Sequence, residues 1–312
     1  MFRAAAIDIR HIPFQSMLDW SSIRELMRDL KEESVGAIVI AQSFGVAYAA
    51  VLARKLAGRR DIKIYMTLHR TIAPRSNLFW RKVMSALDGI FFSSAVARDI
   101  FKSAWRSLPI PAERLHVIHN SLYLPPQPTA EEPKGPIVVM FHGAIVARSG
   151  LETLLDALPA LKGKRIRLWI VGKGNPDYID TLRRRAINAD TMNMITWKVG
   201  YGESIDHLLS QAHIGVFPYS AKDSFGYPNL EFMAAGLPQI INSTPIAAEY
   251  FGLQGGAMFV SPDDKTALAQ SILTLASDAA LRRKMGAQAA ARYAATLSFN
   301  KFIEKTLLYI KR

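Results

Sequence analysis

A chain of 312 residues, 50% hydrophobic and 21% charged, has the length of two globular domains and the composition of packed cores, which excludes disordered and fibrous proteins. It contains no cysteine, so disulfides, thiolate metal sites, iron–sulfur clusters and cysteine nucleophiles are ruled out. The formal charge of +13 is unevenly placed, with 18 Lys and Arg against 10 Asp and Glu in residues 1–130 and 21 against 16 in residues 131–312; such an excess suits a polyanionic partner, whether an acidic membrane surface, nucleic acid or phosphorylated substrates.

The opening residues, MFRAAAIDIRHIPF, lack an apolar core followed by a small-residue cleavage site, so no signal peptide is expected. Val35 to Ala53 runs 19 residues without a charge, the length of a membrane span. It divides into β-rich AIVIA (Ala37–Ala41), turn-like Gln42-Ser43-Phe44-Gly45 and a helical run from Val46 to Leu56, and this strand–turn–helix reading is preferred. Further apolar β-rich runs are Ile62–Leu68, Gly89–Phe92, Leu115–Ile118, Ile137–Phe141, Arg167–Val171, Met194–Trp197, Ile214–Phe217, Pro238–Ile241 and Ala257–Val260. Amphipathic stretches at Ile23–Lys31, Asn77–Leu87, Ala95–Ser103, Leu151–Leu161, Tyr178–Asn188, Ile205–Gln211 and Lys265–Ala276 alternate with them. Solidly apolar strands joined by helical crossovers predict parallel sheets covered on both faces, an α/β fold. Five prolines within residues 124–136 predict a linker. The expected plan is a Rossmann-like, doubly wound domain over 1–125, a linker at 126–136, a second such domain over 137–295, and a final helix within 296–312 that crosses back to the first domain.

In doubly wound sheets ligands bind beyond the carboxyl ends of the strands. Those positions hold Gln42-Ser43, His69-Arg70 and Ser93-Ser94 in the first half, and His142-Gly143, Gly172-Lys173-Gly174 and Pro218-Tyr219 in the second. The most informative stretch is Asp223 to Pro238, DSFGYPNLEFMAAGLP. A small-residue turn through Gly226 leads to Pro228, suited to a first helical position, and the helix stops at Gly236-Leu237-Pro238. A loop feeding a helix N-terminus can hold a phosphate, and Glu231, expected in the first turn, can accept from sugar hydroxyls. The pattern equally allows Asp223 to cap the loop and Glu231 merely to complement the helix dipole.

The acidic-x7-acidic spacing, the S-F-G turn and the E-x-M-A-x-G-x-P that follows resemble the donor-site signature of retaining GT-B glycosyltransferases, specifically glycosyltransferase family 4, or group 1. The resemblance extends over nearly the whole chain and implies two Rossmann-like domains facing across a cleft. It implies that Asp223, where Glu is usual, addresses the transferred sugar and that Glu231 holds the nucleotide ribose. Phe141-His142-Gly143 through Gly150-Leu151-Glu152 looks like the family's diphosphate segment, with Ala144 and Ser149 replacing its usual Arg and Lys. Arg148 is the cation left there and is assigned to the diphosphate, against the plainer reading of a solvated loop residue. Gly143 belongs to the same segment, Gly172 to a turn similar to the family's V-G-x-G, and Gly200 to the place where the base is usually bounded. Ser224, Phe225 and Gly226 supply the loop N–H groups.

In the first half, Thr67-Leu68-His69 resembles the family's T-x-H, which implies that His69 lines the acceptor side. Asn120-Ser121 looks like a closing turn and is read as structural. His116, His119 and His213 have no acidic or histidine partner at metal-ligand spacing, and no D-x-D, G-x-S-x-G, H-E-x-x-H or Walker A pattern occurs. Compared with the family, Met1 falls near the third strand, so the usual first strand and Gly-Gly loop, roughly 50 to 80 residues or two βα units, are not found ahead of it.

These features imply a metal-independent, retaining transferase that moves a hexose-type sugar from a UDP- or GDP-sugar to a glycan or lipid-linked acceptor of the cell envelope, with no cofactor. The basic first half, with Arg70, Arg75, Arg81 and Lys82 around Phe79-Trp80, suits a cytoplasmic protein peripheral to an acidic membrane, although a solvated helix face reads the same. Nucleic acid is not an expected partner, because the basic residues are dispersed rather than gathered with stacking aromatics. Two alternatives stand beside this reading. One is a fragment or partner subunit that binds nucleotide without transfer, and the other is a nucleotide-sugar epimerase of the same fold.

Overall fold

The computed structural model describes residues 19–32, 35–68, 78–106, 110–123, 135–200, 202–219, 225–252 and 255–310. The chain divides into two units, the first comprising Met1–Ile118 with Leu307–Arg312 and the second His119–Thr306.

The first unit contains α1 (Trp20–Glu32), β1 (Ala37–Ala41), α2 (Phe44–Ala57), β2 (Lys63–Leu68), α3 (Leu78–Ser85), β3 (Gly89–Phe92), α4 (Ala95–Ala104) and β4 (Leu115–Val117). Its strands form a parallel sheet in chain order, β1-β2-β3-β4. The uncharged Val35–Ala53 stretch is thus β1, a turn and most of α2, and no described helix is long and apolar enough to cross a membrane. Ser43 starts α2 by accepting from the Val46 N–H at 3.3 Å, and Gly58 stops it in the left-handed conformation at φ +72°. Alternate residues Ile38, Ile40, Ile64, Met66 and Leu68 pack beneath α2 and α3. On the other face, Tyr309 from the end of the chain stacks on His116 at 3.9 Å and accepts through its carbonyl from Tyr65 Oη at 3.0 Å. Arg54 ties the far end of this sheet together, donating to Asp88 at 2.7 Å and to the carbonyls of Ile62 and Ala86.

The second unit contains β5 (Ile137–His142), α5 (Leu151–Ala157), β6 (Ile166–Gly172), α6 (Pro176–Asn188), β7 (Ile195–Val199), α7 (Ile205–Leu209), β8 (Ile214–Phe217), α8 (Tyr227–Ala234), β9 (Gln239–Asn242), α9 (Pro245–Phe251), β10 (Ala257–Val260), α10 (Lys265–Ser277) and α11 (Ala279–Arg292). A π-helical turn, Tyr293–Leu297, leads to α12 (Phe299–Ile310), which begins in this unit and ends in the first. The six parallel strands are ordered β10-β9-β8-β5-β6-β7. One face buries Val139, Phe141, Leu168, Ile170 and Val216 against α5, α6 and α10, and the other buries Met140 and Val171 against α7 and α8. Residues ahead of the anticipated linker already belong here: the Asn120 N–H donates to Tyr250 Oη, Ser121 Oγ to the Leu297 carbonyl and Tyr293 Oη to the Leu122 carbonyl. The change of unit at Ile118 therefore lies a few residues before residue 125. His119, which lacks an acidic neighbour in sequence, acquires one in space, with Nε2 2.8 Å from Glu249 Oε1.

Candidate functional site

In the second sheet β5 lies between β6 and β8, so the crossovers leave it in opposite directions. That is a topological switch point, where a doubly wound sheet opens a crevice beyond its carboxyl ends. Here the strands end on His142-Gly143, Gly172 and Val199-Gly200. The Gly143 N–H donates to the Val171 carbonyl and the Gly200 N–H to the Gly172 carbonyl, each at 3.0 Å, so pairing continues into the loops. A Cβ at Gly172 would sit 1.8 Å from the Gly143 carbonyl oxygen, and one at Gly150, which has φ +71°, 1.9 Å from that of Pro218. Only glycine permits these approaches, and they hold the loops over the strand ends.

Beyond β5, β6 and β7, against α7 and α8, lies a cavity of about 670 Å³ lined by His142, Gly172, Trp197, Lys198, Gly200, Glu203, Ser204 and Glu231 among others. Its volume is in the range of small-molecule sites. Two charge pairs define its chemistry. His142 Nδ1, at the end of β5, lies 2.7 Å from Glu231 Oε2, and the two side chains are only 19% and 15% exposed. Lys198 Nζ, on β7, is 2.6 Å from Glu203 Oε1 and 4.8 Å above the Trp169 ring. The Trp197 ring lies on the opposite face of β7, packed on the core with the Arg183 guanidinium 5.5 Å from its centroid, and its indole N–H is buried without a partner. A largely buried carboxylate braced by a ring nitrogen, with glycine backbone beside it, can receive hydroxyl donors in this enclosure.

Of the residues singled out in the sequence, Gly172, Gly200 and Glu231 line this cavity, and Gly143 directly follows His142. Glu231 is the fifth residue of α8, because that helix starts at Tyr227 rather than Pro228; it therefore opens the second turn instead of sitting in the first. Arg148 is exposed on a 3-10 turn, Ala147–Ser149, and does not line the cavity. The Phe225 ring is core: it stacks on Tyr250 at 4.0 Å, which leaves its backbone alone to face a ligand. Gly226 caps α8 beside the Phe217 ring, where a Cβ would stand 2.5 Å away. His69, Asp223 and Ser224 lie outside the described residues. Sequence reasoning placed His142 at a strand end but gave it no role, and it did not identify Lys198 or Glu203. Among the described residues no group of three or more His, Asp or Glu is arranged to hold a metal ion.

Residues 127–292 match the family of glycosyl transferases group 1, and residues 5–124 match Glycosyltransferase Family 4. Over 98 residues the chain is 32% identical to the O-antigen chain mannosyltransferase RfbU of Salmonella typhimurium, a match that spans 31% of this chain and 27% of that relative. A longer match, 24% identical over 297 residues, covers 89% of this chain and 76% of the GDP-mannose-dependent monoacylated alpha-(1-6)-phosphatidylinositol monomannoside mannosyltransferase of Corynebacterium glutamicum. Among solved structures, Alr3699/HepE of Anabaena in complex with UDP superposes with a TM-score of 0.80 at 16% identity, covering 99% of this chain and 88% of that one. At such identity the likeness concerns the fold, the two-sheet GT-B architecture.

Proposed function

This chain belongs to the group 1 glycosyl transferases, and on that premise we propose that it moves a hexose from a UDP- or GDP-linked donor to a glycan or lipid-linked acceptor, with retention and without a metal. The observation that carries the reading is the cavity at the switch point of the second sheet, where Glu231, Gly172 and Gly200 converge. Glu231 takes the ribose hydroxyls, Gly200 bounds the base, and Arg148 with the loop N–H groups of Ser224 to Gly226 steadies the diphosphate. Asp223 orients the donor sugar and His69 the acceptor. The bond from the sugar's anomeric carbon to the phosphate oxygen breaks as the acceptor hydroxyl attacks on the same face, and the departing phosphate oxygen takes the acceptor's proton. The residues' task is to stabilise the leaving charge, and loss of the Arg148 contact lowers kcat by about 10²- to 10³-fold.

Both relatives named above carry mannosyltransferase names, one with a GDP-mannose donor and a phosphatidylinositol-based acceptor, while the structural neighbour holds UDP. A lipid-linked acceptor also suits α3, where Leu78 and Phe79 are 70% and 39% exposed beside Lys82. Anionic liposomes should then bind the protein in a salt-sensitive manner, and binding that ignores salt or fails altogether removes the membrane. Calorimetric titration with UDP and GDP, with and without Mg²⁺, tests the donor site. Metal-independent binding of one nucleotide is expected, and folded protein that binds neither overturns the reading.

A further inference from the structure

We propose that His142 is a positioning residue for the nucleotide ribose: Nδ1–H donates to Glu231 Oε2 and fixes that carboxylate so that Oε1 meets the ribose hydroxyls. The inference rests on the reading of Glu231 as the group that holds the ribose. Its basis is the way the two residues are mounted. His142 ends β5, an interior strand paired on both sides, with its own backbone in register with Val171 of β6. Glu231 projects from the second turn of α8 on a longer, more flexible side chain, whose ordering costs rotamer entropy. The 2.7 Å contact transfers the rigidity of the sheet to the flexible partner, and low exposure of both groups limits screening by water. An ionised carboxylate has about four acceptor positions on two oxygens. The imidazole occupies one, leaving Oε1 and the second lone pair of Oε2 for a vicinal diol. Lys198, the lysine that lines the cavity, is held by Glu203 at 2.6 Å and so does not draw Glu231 away. Nδ1 carries its proton in both the cationic ring and one neutral tautomer, so the role does not require a charged histidine.

The test uses whichever of UDP and GDP the full chain binds, together with its 2′-deoxy and 3′-deoxy forms, titrated by calorimetry. The unaltered protein is expected to favour the ribonucleotide over at least one deoxy form by about tenfold, the worth of one hydrogen bond to a charged group. In His142→Phe that preference should shrink to about twofold or less while affinity for the deoxy form stays the same, because only the ribose contact depends on the brace. His142→Asn, whose amide nitrogen can take the place of Nδ1, should restore most of it. A preference that survives in His142→Phe but disappears in Glu231→Ala overturns the role of His142 and leaves the ribose assignment intact. Equal weakening of ribo- and deoxynucleotides in His142→Phe also overturns it, since general damage to the site acts on both. Binding without any ribose preference in the unaltered protein overturns the assignment of Glu231 itself.

Discussion

The two sheets are built from the same βα unit but use their strand ends differently. In the first, the strands run in chain order, so among the described residues every crossover steps the same way. Two of its polar strand-end residues are absorbed by the helices that follow: Ser43 caps α2 and Ser94 caps α4, accepting from the Ala97 N–H at 3.0 Å. In the second sheet the order reverses at β5, and the ends of β5, β6 and β7 carry His142-Gly143, Gly172 and Gly200 rather than capping serines. Polar residues after a strand are thus ambiguous by themselves. At β5 the order of the strands brings α8 from beyond β8 over the strand end, and there the polar residue lines a cavity instead of capping a helix.

The largest effect expected from this contrast is at Gly150. Gly150→Ala should destabilise the second unit by more than about 3 kcal/mol, because the new methyl would meet the Pro218 carbonyl in addition to adopting a left-handed backbone. Chemical denaturation followed by hydrogen exchange should show the loss in β5 and β8. Unchanged protection there would break the account of close approach.

In the first unit Asp88 provides the counterpart. Burial pushes its carboxyl up, but the Ile64 N–H at 2.9 Å and the Arg54 guanidinium at 2.7 Å outweigh burial and hold it below the ordinary carboxylate range. A depressed carboxyl stabilises the fold above its unfolded value, and that contribution is lost as pH falls through the folded value. Asp88→Asn should therefore cost about 2 kcal/mol near neutral pH, and the gap from the unaltered protein should close under acid. A gap that widens on acidification would reverse the sign of the argument.

Next in size is Glu231→Ala, which should weaken nucleotide binding by about tenfold, or about 1.4 kcal/mol, with little change in stability. Unchanged affinity removes the carboxylate from the ribose. The smallest expected effect is Gly58→Ala. Its φ of +72° matches that of Gly150, yet nothing stands within 4 Å of the added methyl, so only the backbone term of about 1 kcal/mol should appear. Together the two alanines separate backbone conformation from steric contact.

Much of the fold was legible because strands here are short, solidly apolar runs bounded by polar residues. AIVIA, GIFF, IGVF and AMFV became β1, β3, β8 and β10 with the expected ends. The reading did not name α9 or α11. α9 is only seven residues long, and α11 is alanine-rich with Gly286 in its interior, a composition that shows no clear apolar stripe. The glycine answers to a distant constraint, since a Cβ there would lie 2.0 Å from the Gly236 carbonyl. At the site, Glu231, Gly172 and Gly200 were legible because each belongs to a local pattern. The pairing of His142 with Glu231 spans 89 residues and that of His119 with Glu249 spans 130, and such pairings follow from strand order rather than spacing. The burial of the Phe225 ring was illegible for the same reason: its motif position is local, whereas its packing depends on Tyr250.

The placement of Tyr309 has a consequence for synthesis. The ring that covers His116 in the first unit leaves the ribosome after every residue of the second unit. The second unit is continuous in the chain, whereas the first is closed by residues that follow it, so every residue of the second unit precedes the Tyr309 ring. Removing the residues from Tyr309 onward would keep every residue of the second unit and its cavity while taking the aromatic cover from His116 and the carbonyl from Tyr65.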